Sequence, residues 1–148
     1  MDATDQRILN LLQADARMTL REIGERVNLT PPSVSERIHK LEDEGIIQGY
    51  RIAVNRAKIG YAVNGYILAS PEPAKYGAFC AFAQKQPAIT EHHHLIGNYN
   101  ALLRFSVRDT DELDALLSAI KSFGDSRTSV ELSSYFTTKD LPLGEDPE

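Results

Sequence analysis

The stretch TLREIGERVNLTPPSVSERIHKLEDEG, Thr19 to Gly45, constrains this chain more than any other part of it. Thr19 stands three residues before Glu22, the spacing of a capping box, in which each side chain accepts the other residue's free backbone N–H. Leu20, Ile23 and Val27 then fall on one face, which predicts a helix over 19–27. The pattern breaks at Asn28-Leu29. A second helix opens at Thr30, a capping residue, with Pro31 and Pro32 in the first turn, where a missing N–H costs nothing. Val34, Ile38 and Leu41 recur at i, i+4 and i+7, and Gly45 supplies the stop. Two short helices around a tight turn are the layout of a helix-turn-helix, whose second helix enters the DNA major groove.

The rest of the chain supplies companions to that motif. Asp2 to Ala14 carries Ile8, Leu9, Leu11 and Leu12 at helical spacing, with Asp2 or Thr4 to cap it. After Gly45 the period falls to about 2 residues, and Ile46, Ile47, Tyr50, Ile52 and Val54 suit a strand or hairpin packed as a wing. The second half reads as strand (61–69), helix (74–86), strands (89–96 and 101–107) around a Gly97-Asn98-Tyr99-Asn100 turn, helix (110–123) and strand (129–137). That βαββαβ order predicts a ferredoxin-like sandwich. The expected fold is therefore α+β, with a winged helix-turn-helix over 1–54, a linker over 55–60 and a ferredoxin-like domain over 61–148. The tail from Leu141 to Glu148, with two prolines and three acids, is expected to be loosely held.

Charge separates the halves. Residues 1–60 hold nine basic and nine acidic side chains, whereas 61–148 hold seven and twelve, so the net −5 lies entirely in the second half. Phosphate affinity follows the local placement of Arg and Lys, so the neutral half remains free to bind DNA. The single cysteine, Cys80, excludes an internal disulfide framework and reads as a small hydrophobe on a helix face. No apolar run reaches the roughly 20 residues that cross a bilayer, and the acid-bearing N-terminus does not resemble a secretory signal. The expected location is the cytoplasm, in association with the nucleoid.

Removing the stripe Val34–Ile38–Leu41 leaves an outward face on the second helix. It offers Pro32, Ser33, Ser35, Arg37, His39 and Lys40, together with Glu36. Arg binds guanine O6 and N7 together, serines reach phosphates or base edges, and a capped helix start at Thr30 attracts phosphate. Arg21, Arg26 and Arg51 are candidate backbone clamps from the preceding helix and the wing. Glu36 is the odd member, able to accept from cytosine N4 or merely to repel phosphate. A plain three-helix bundle with a solvated basic face fits the same periodicity.

Asp5 to Leu12 as D-x-x-I-L-x-L-L, Ser33 to Ile47 as S-V-S-E-R-I-x-x-L-E-x-x-G-I-I, and a G-Y followed by K-I-G resemble the Lrp/AsnC (feast/famine) family of transcriptional regulators. The resemblance reaches K-D-L-P-L near the end and so covers nearly the whole chain. It implies a RAM-type ligand-sensing and assembly domain in the second half, homodimers that assemble into octamers, and double-stranded DNA as partner. It also implies an amino-acid effector pocket at the 97–100 turn, where the family pattern is G-x-Y-D. Gly97, Asn98, Tyr99 and Asn100 are the candidate effector residues, and Asn100 is neutral where that pattern carries an acid. A neutral amide forgoes a charge-assisted hydrogen bond, which is roughly twice as strong. The asparagines also fit a turn that needs only their backbone tolerance.

The sandwich leaves one sheet face open, and Tyr66, Ile67, Leu68, Leu103, Phe105, Tyr135 and Phe136 are candidates to cover it against a second copy, although alternation must put about half of them in the core. His92 and His94 share a strand face, but without other ligands at suitable spacing a structural or interface role is preferred to a metal site. No nucleophile elbow, phosphate loop or paired-carboxylate constellation is present, so neither an enzyme nor a cofactor is expected. The alternative to a sequence-specific regulator is a chromatin-architectural protein that wraps or bridges DNA with little specificity.

Overall fold

Three capped helices carry the first half. A computed structural model describes residues 1–144, and within it α1 spans Ala3–Ala14, α2 Leu20–Val27 and α3 Pro31–Asp43. The Asp2 carboxylate accepts from Asp5 N–H at 2.9 Å while Asp5 Oδ2 accepts from Asp2 N–H at 2.8 Å, a capping box that fixes the start of α1. Thr19 and Glu22 form a second box on α2, and Thr30 caps α3 through Ser33 N–H. The turn between α2 and α3 is made by Asn28 in the left-handed region, φ 57°, a conformation its short polar side chain tolerates. Gly24 lets that turn close: a Cβ there would stand 2.5 Å from the Leu29 carbonyl oxygen. Ile8, Ile23, Val27, Val34 and Ile38 are buried together, as the sequence stripes require, whereas Leu20 remains exposed.

The expected wing is not a strand. Residues 46–56 carry no ladder, and Tyr50, Ile52 and Val54 are exposed. A strand needs a partner for its N–H and C=O groups, and among the described residues no other segment is paired to this run. Gly49, at φ 141°, interrupts the run further.

The chain divides into two compact units, one of Met1–Ala53 together with the segment from Phe136 onward, the other of Val54–Tyr135. The expected linker, 55–60, thus falls inside the second unit, where Ala57–Ile59 make a 3-10 turn and Arg56 donates to the buried Ser106 at 3.0 Å. The tail also departs from expectation. Gln13 exchanges two hydrogen bonds with the Leu141 backbone, both 2.9 Å, and Asn10 does the same with Leu143 at 2.8 and 3.2 Å. Residues 141–143 are thereby strapped to α1; 145–148 lie outside the described residues.

The second unit is a four-stranded antiparallel sheet in the order β2-β3-β1-β4, with β1 at Val63–Pro71, β2 at Ile89–His94, β3 at Ala101–Val107 and β4 at Gly124–Val130. Two helices, α4 (Tyr76–Lys85) and α5 (Thr110–Lys121), follow β1 and β3, which is the expected ferredoxin-like arrangement. Ile67 pairs with Leu103 and Gly65 with Phe105, and these positions are buried under the helices with Phe79, Leu116 and Ile120. Gly65 makes room for Phe105, whose ring would lie 2.8 Å from a Cβ at that position. Tyr66 and Leu68 occupy the opposite face of β1, as strand alternation dictates. The last strand lies earlier than expected, and Leu132, Tyr135 and Phe136 beyond it are exposed.

Candidate nucleic-acid interface and effector loop

The outward face of α3 follows from its helical projection. At about 100° per residue, Pro32, Glu36, His39 and Asp43 stand opposite the Val34–Ile38–Leu41 stripe, and Ser35 and Lys40 flank them. These six side chains line one shallow surface groove. Ser33 Oγ and Thr30 Oγ1 lie 2.9 Å apart at the helix start, and the first turn holds no acid. The structure thus brings Thr30, Pro32, Ser33, Ser35, His39 and Lys40 onto one end and one side of a single helix. Lys40 sits 3.9 Å from Glu44, a surface pair of little energetic weight that leaves its ammonium available.

Arg37 is placed elsewhere. It projects only about 65° from the centre of the buried stripe, and its Nη1 donates to Asp2 Oδ2 at 2.7 Å and to Asp5 Oδ1 at 2.6 Å. The Asp5 side chain is 8% exposed, so this is a clasp between the start of α1 and the middle of α3. The hydrogen bond from Arg37, reinforced by the Asp5 N–H, holds the Asp2 carboxyl down to about 2, and the same two carboxylates raise the Arg37 pKa above its ordinary value. The expected guanine-reading arginine is therefore engaged inside the helical unit. Sequence reasoning missed Asp2 and Asp5 as its partners. The available signal was Asp5 three residues before Ile8, on the inward face of α1.

The sign of the linkage follows from the lowered Asp2 pKa. Stability from this clasp is fully present above the ordinary carboxyl value of 3.8 and is lost as pH falls through about 2. Acid titration followed by far-UV circular dichroism should therefore give a steeper loss of helix between roughly pH 4 and 2 in the wild type than in Asp2→Asn.

Arg21 pairs with Glu25 at 3.1 Å on the exposed side of α2. Arg51 lines a groove with Leu9, Leu12, Tyr50, Leu141 and Leu143, apart from the residues that line the outer face of α3. Without a wing strand to carry it, Arg51 is not positioned by any ladder.

In the second unit, Gly97 to Asn100 form the β2–β3 connection, with Gly97 at φ 150° and Asn100 C=O accepting from Leu95 N–H at 2.9 Å. Tyr99 and Asn100 are half-buried, and Asn100 Oδ1 is shielded from solvent without a hydrogen-bond donor among the described residues. A buried acceptor left unpaired is costly, so this atom is the loop's demand for a donor. The three histidines separate. His92 stacks edge-on against Phe79, His94 Nδ1 lies 2.5 Å from the Tyr76 hydroxyl, and His93 approaches Glu91 at 3.4 Å. Burial lowers the His92 pKa, helped by His93 and His94. Among the described residues, no three His, Cys, Asp or Glu side chains are grouped to hold a metal ion. Cys80 is half-buried beside the core.

Residues 1–48 match the family model for winged helix-turn-helix DNA-binding, and residues 65–141 match that for the Lrp/AsnC ligand binding domain. The uncharacterised HTH-type transcriptional regulator YezC of Bacillus subtilis strain 168 is 35% identical over 134 residues, covering 90% of this chain and 95% of its own. The solved structure of B. subtilis LrpC has a TM-score of 0.86 at 28% identity, over 93% of this chain and 99% of that one. A transcriptional regulator from Neisseria meningitidis, solved as its L-Met complex, has a TM-score of 0.87 at 27% identity, over 96% of each chain. Fold and relatives define a helix-turn-helix transcriptional regulator, not an enzyme. The chain belongs to the Lrp/AsnC family.

Proposed function

We propose that this regulator reads specific DNA sequences through α3, as a homodimer that assembles further toward an octamer, and that a small molecule with an amino-acid-like N–H donor modulates it. The observation that carries the DNA reading is the outward side of α3, where Ser35, His39 and Lys40 line an open groove beside an acid-free, Thr30-capped helix start. Thr30, Pro32 and Ser33 belong to that surface, and Arg21 and Arg51 are outlying phosphate contacts. Arg37 acts through the position of α3.

The homodimer is supported by two apolar surfaces that the described residues leave at least partly open. One is the open sheet face with Tyr66, Leu68 and Leu102 around Arg104, which is held by Glu91 at 3.3 Å and Glu131 at 3.7 Å. The other is the run after α3 that bears the exposed Tyr50 and Ile52. Two-fold symmetry would present two copies of α3 to half-sites about 34 Å apart. The effector reading rests on Asn100 Oδ1, a shielded acceptor suited to an ammonium, and on the L-Met bound by the Neisseria relative.

Selection of bound DNA from a random pool, run with and without each amino acid, tests the whole reading. The expected product is a pseudo-palindromic motif with half-sites one helical turn apart, whose enrichment changes with at least one amino acid. Equal retention of all sequences would instead identify a low-specificity DNA-wrapping protein.

A further inference from the structure

The reading face of α3 has lost its arginine to the Asp2–Asp5 clasp and keeps a carboxylate at its centre. Glu36 projects about 190° from the buried stripe, on the outward side of the helix that it shares with Asp43 near the C-terminal end. It is exposed and makes no ion pair or side-chain hydrogen bond among the described residues, although Lys40 lies one turn away. A free carboxylate facing a polyanion opposes binding to every sequence alike, unless a base edge gives it a donor. In the major groove that donor is an exocyclic amine, and a carboxylate accepts from cytosine N4. Glu36 is the sixth residue of α3, within the N-terminal half that reaches base edges in helix-turn-helix docking.

We propose that Glu36 is a specificity-determining residue that selects cytosine at one position of each half-site. This rests on the reading of α3 as the groove-entering helix. The carboxylate acts by discrimination: it lowers affinity for DNA in general and recovers it only where cytosine N4 faces it. Pro32, Ser35 and His39 line the same open groove as Glu36, so the carboxylate shares its face with uncharged and polar side chains able to face DNA.

The test is random-pool selection with the full-length wild type, Glu36→Gln and Glu36→Ala, followed by competition binding at fixed salt. The wild type should select a motif with cytosine at one position per half-site. Glu36→Gln should move that position toward adenine, which glutamine binds through N6 and N7, and Glu36→Ala should relax it while the other positions stay. The preference for cytosine over the other bases there should fall about ten-fold in Glu36→Ala, within the range for one base contact. An unchanged motif in Glu36→Ala, with uniformly tighter binding to all sequences, would mean that the carboxylate only repels phosphate, and would overturn the assignment while leaving α3 as reader. A wild type that selects no motif would overturn both. Circular dichroism of the three proteins should coincide, because Glu36 is exposed and its side chain makes no hydrogen bond or ion pair among the described residues.

Discussion

Arg37→Leu should lower the melting temperature of the helical unit and weaken DNA binding with it, and Asp5→Asn introduced alongside should restore much of both. The single change strands the Asp5 carboxylate, whose side chain is 8% exposed, at the junction of α1 and α3. Removing one partner of a buried pair is far more damaging than replacing both by neutral groups. Asparagine at position 5 keeps an oxygen to accept the Asp2 N–H, now made at 2.8 Å, and no longer needs a cation. Thermal unfolding by circular dichroism and anisotropy titration of a selected operator would be measured on the wild type and both variants. If Arg37 contacted a guanine, the double variant would regain its melting temperature and still fail to bind. That result would return Arg37 to the reading face.

The fate of Arg37 marks where sequence reading stops. Capping residues act on backbone groups within three positions, so Thr19–Glu22 and Thr30 were legible together with the boundaries of α2 and α3. The helical stripe likewise named Val34, Ile38 and Leu41, all buried in the fold. Arg37 lies on the border of that stripe, where direction depends on a partner 32 residues away. The same limit applies to β4. Gly124–Val130 reads GDSRTSV, without apolar alternation, because an edge strand paired only to β1 has little to bury. The more apolar run after it attracted the strand assignment but continues past the sheet, leaving Leu132 and Tyr135 each 98% exposed. Tyr50, Ile52 and Val54 have strand periodicity and no ladder, since periodicity reports what a segment can bury and not whether a partner is at hand. The 141–143 strap was hidden for a related reason: its hydrogen bonds come from Asn10 and Gln13, polar residues with nothing to distinguish them from a solvated face.

The two faces of the sheet should answer substitution in opposite ways. Phe105→Ala should cost the second unit about 3–5 kcal/mol, the usual range for emptying a fully buried aromatic site. Phe105 is 0% exposed, and its ring lies over Gly65, which has no side chain to fill the space it would leave. Such a loss is a large fraction of a domain's stability, and it should be independent of protein concentration. Leu68→Ala, on the other face and opposite Leu102, should scarcely alter unfolding of the monomer but should weaken self-association. Urea unfolding at low concentration, paired with sedimentation velocity across a concentration series, separates the two effects. Equal destabilisation by both substitutions at every concentration would mean that the open face is not where copies meet. The half-buried Leu68, Leu102 and Arg104 would then be held only by their own chain, and the second copy of α3 would have to be brought to DNA through the exposed Tyr50–Val54 run instead.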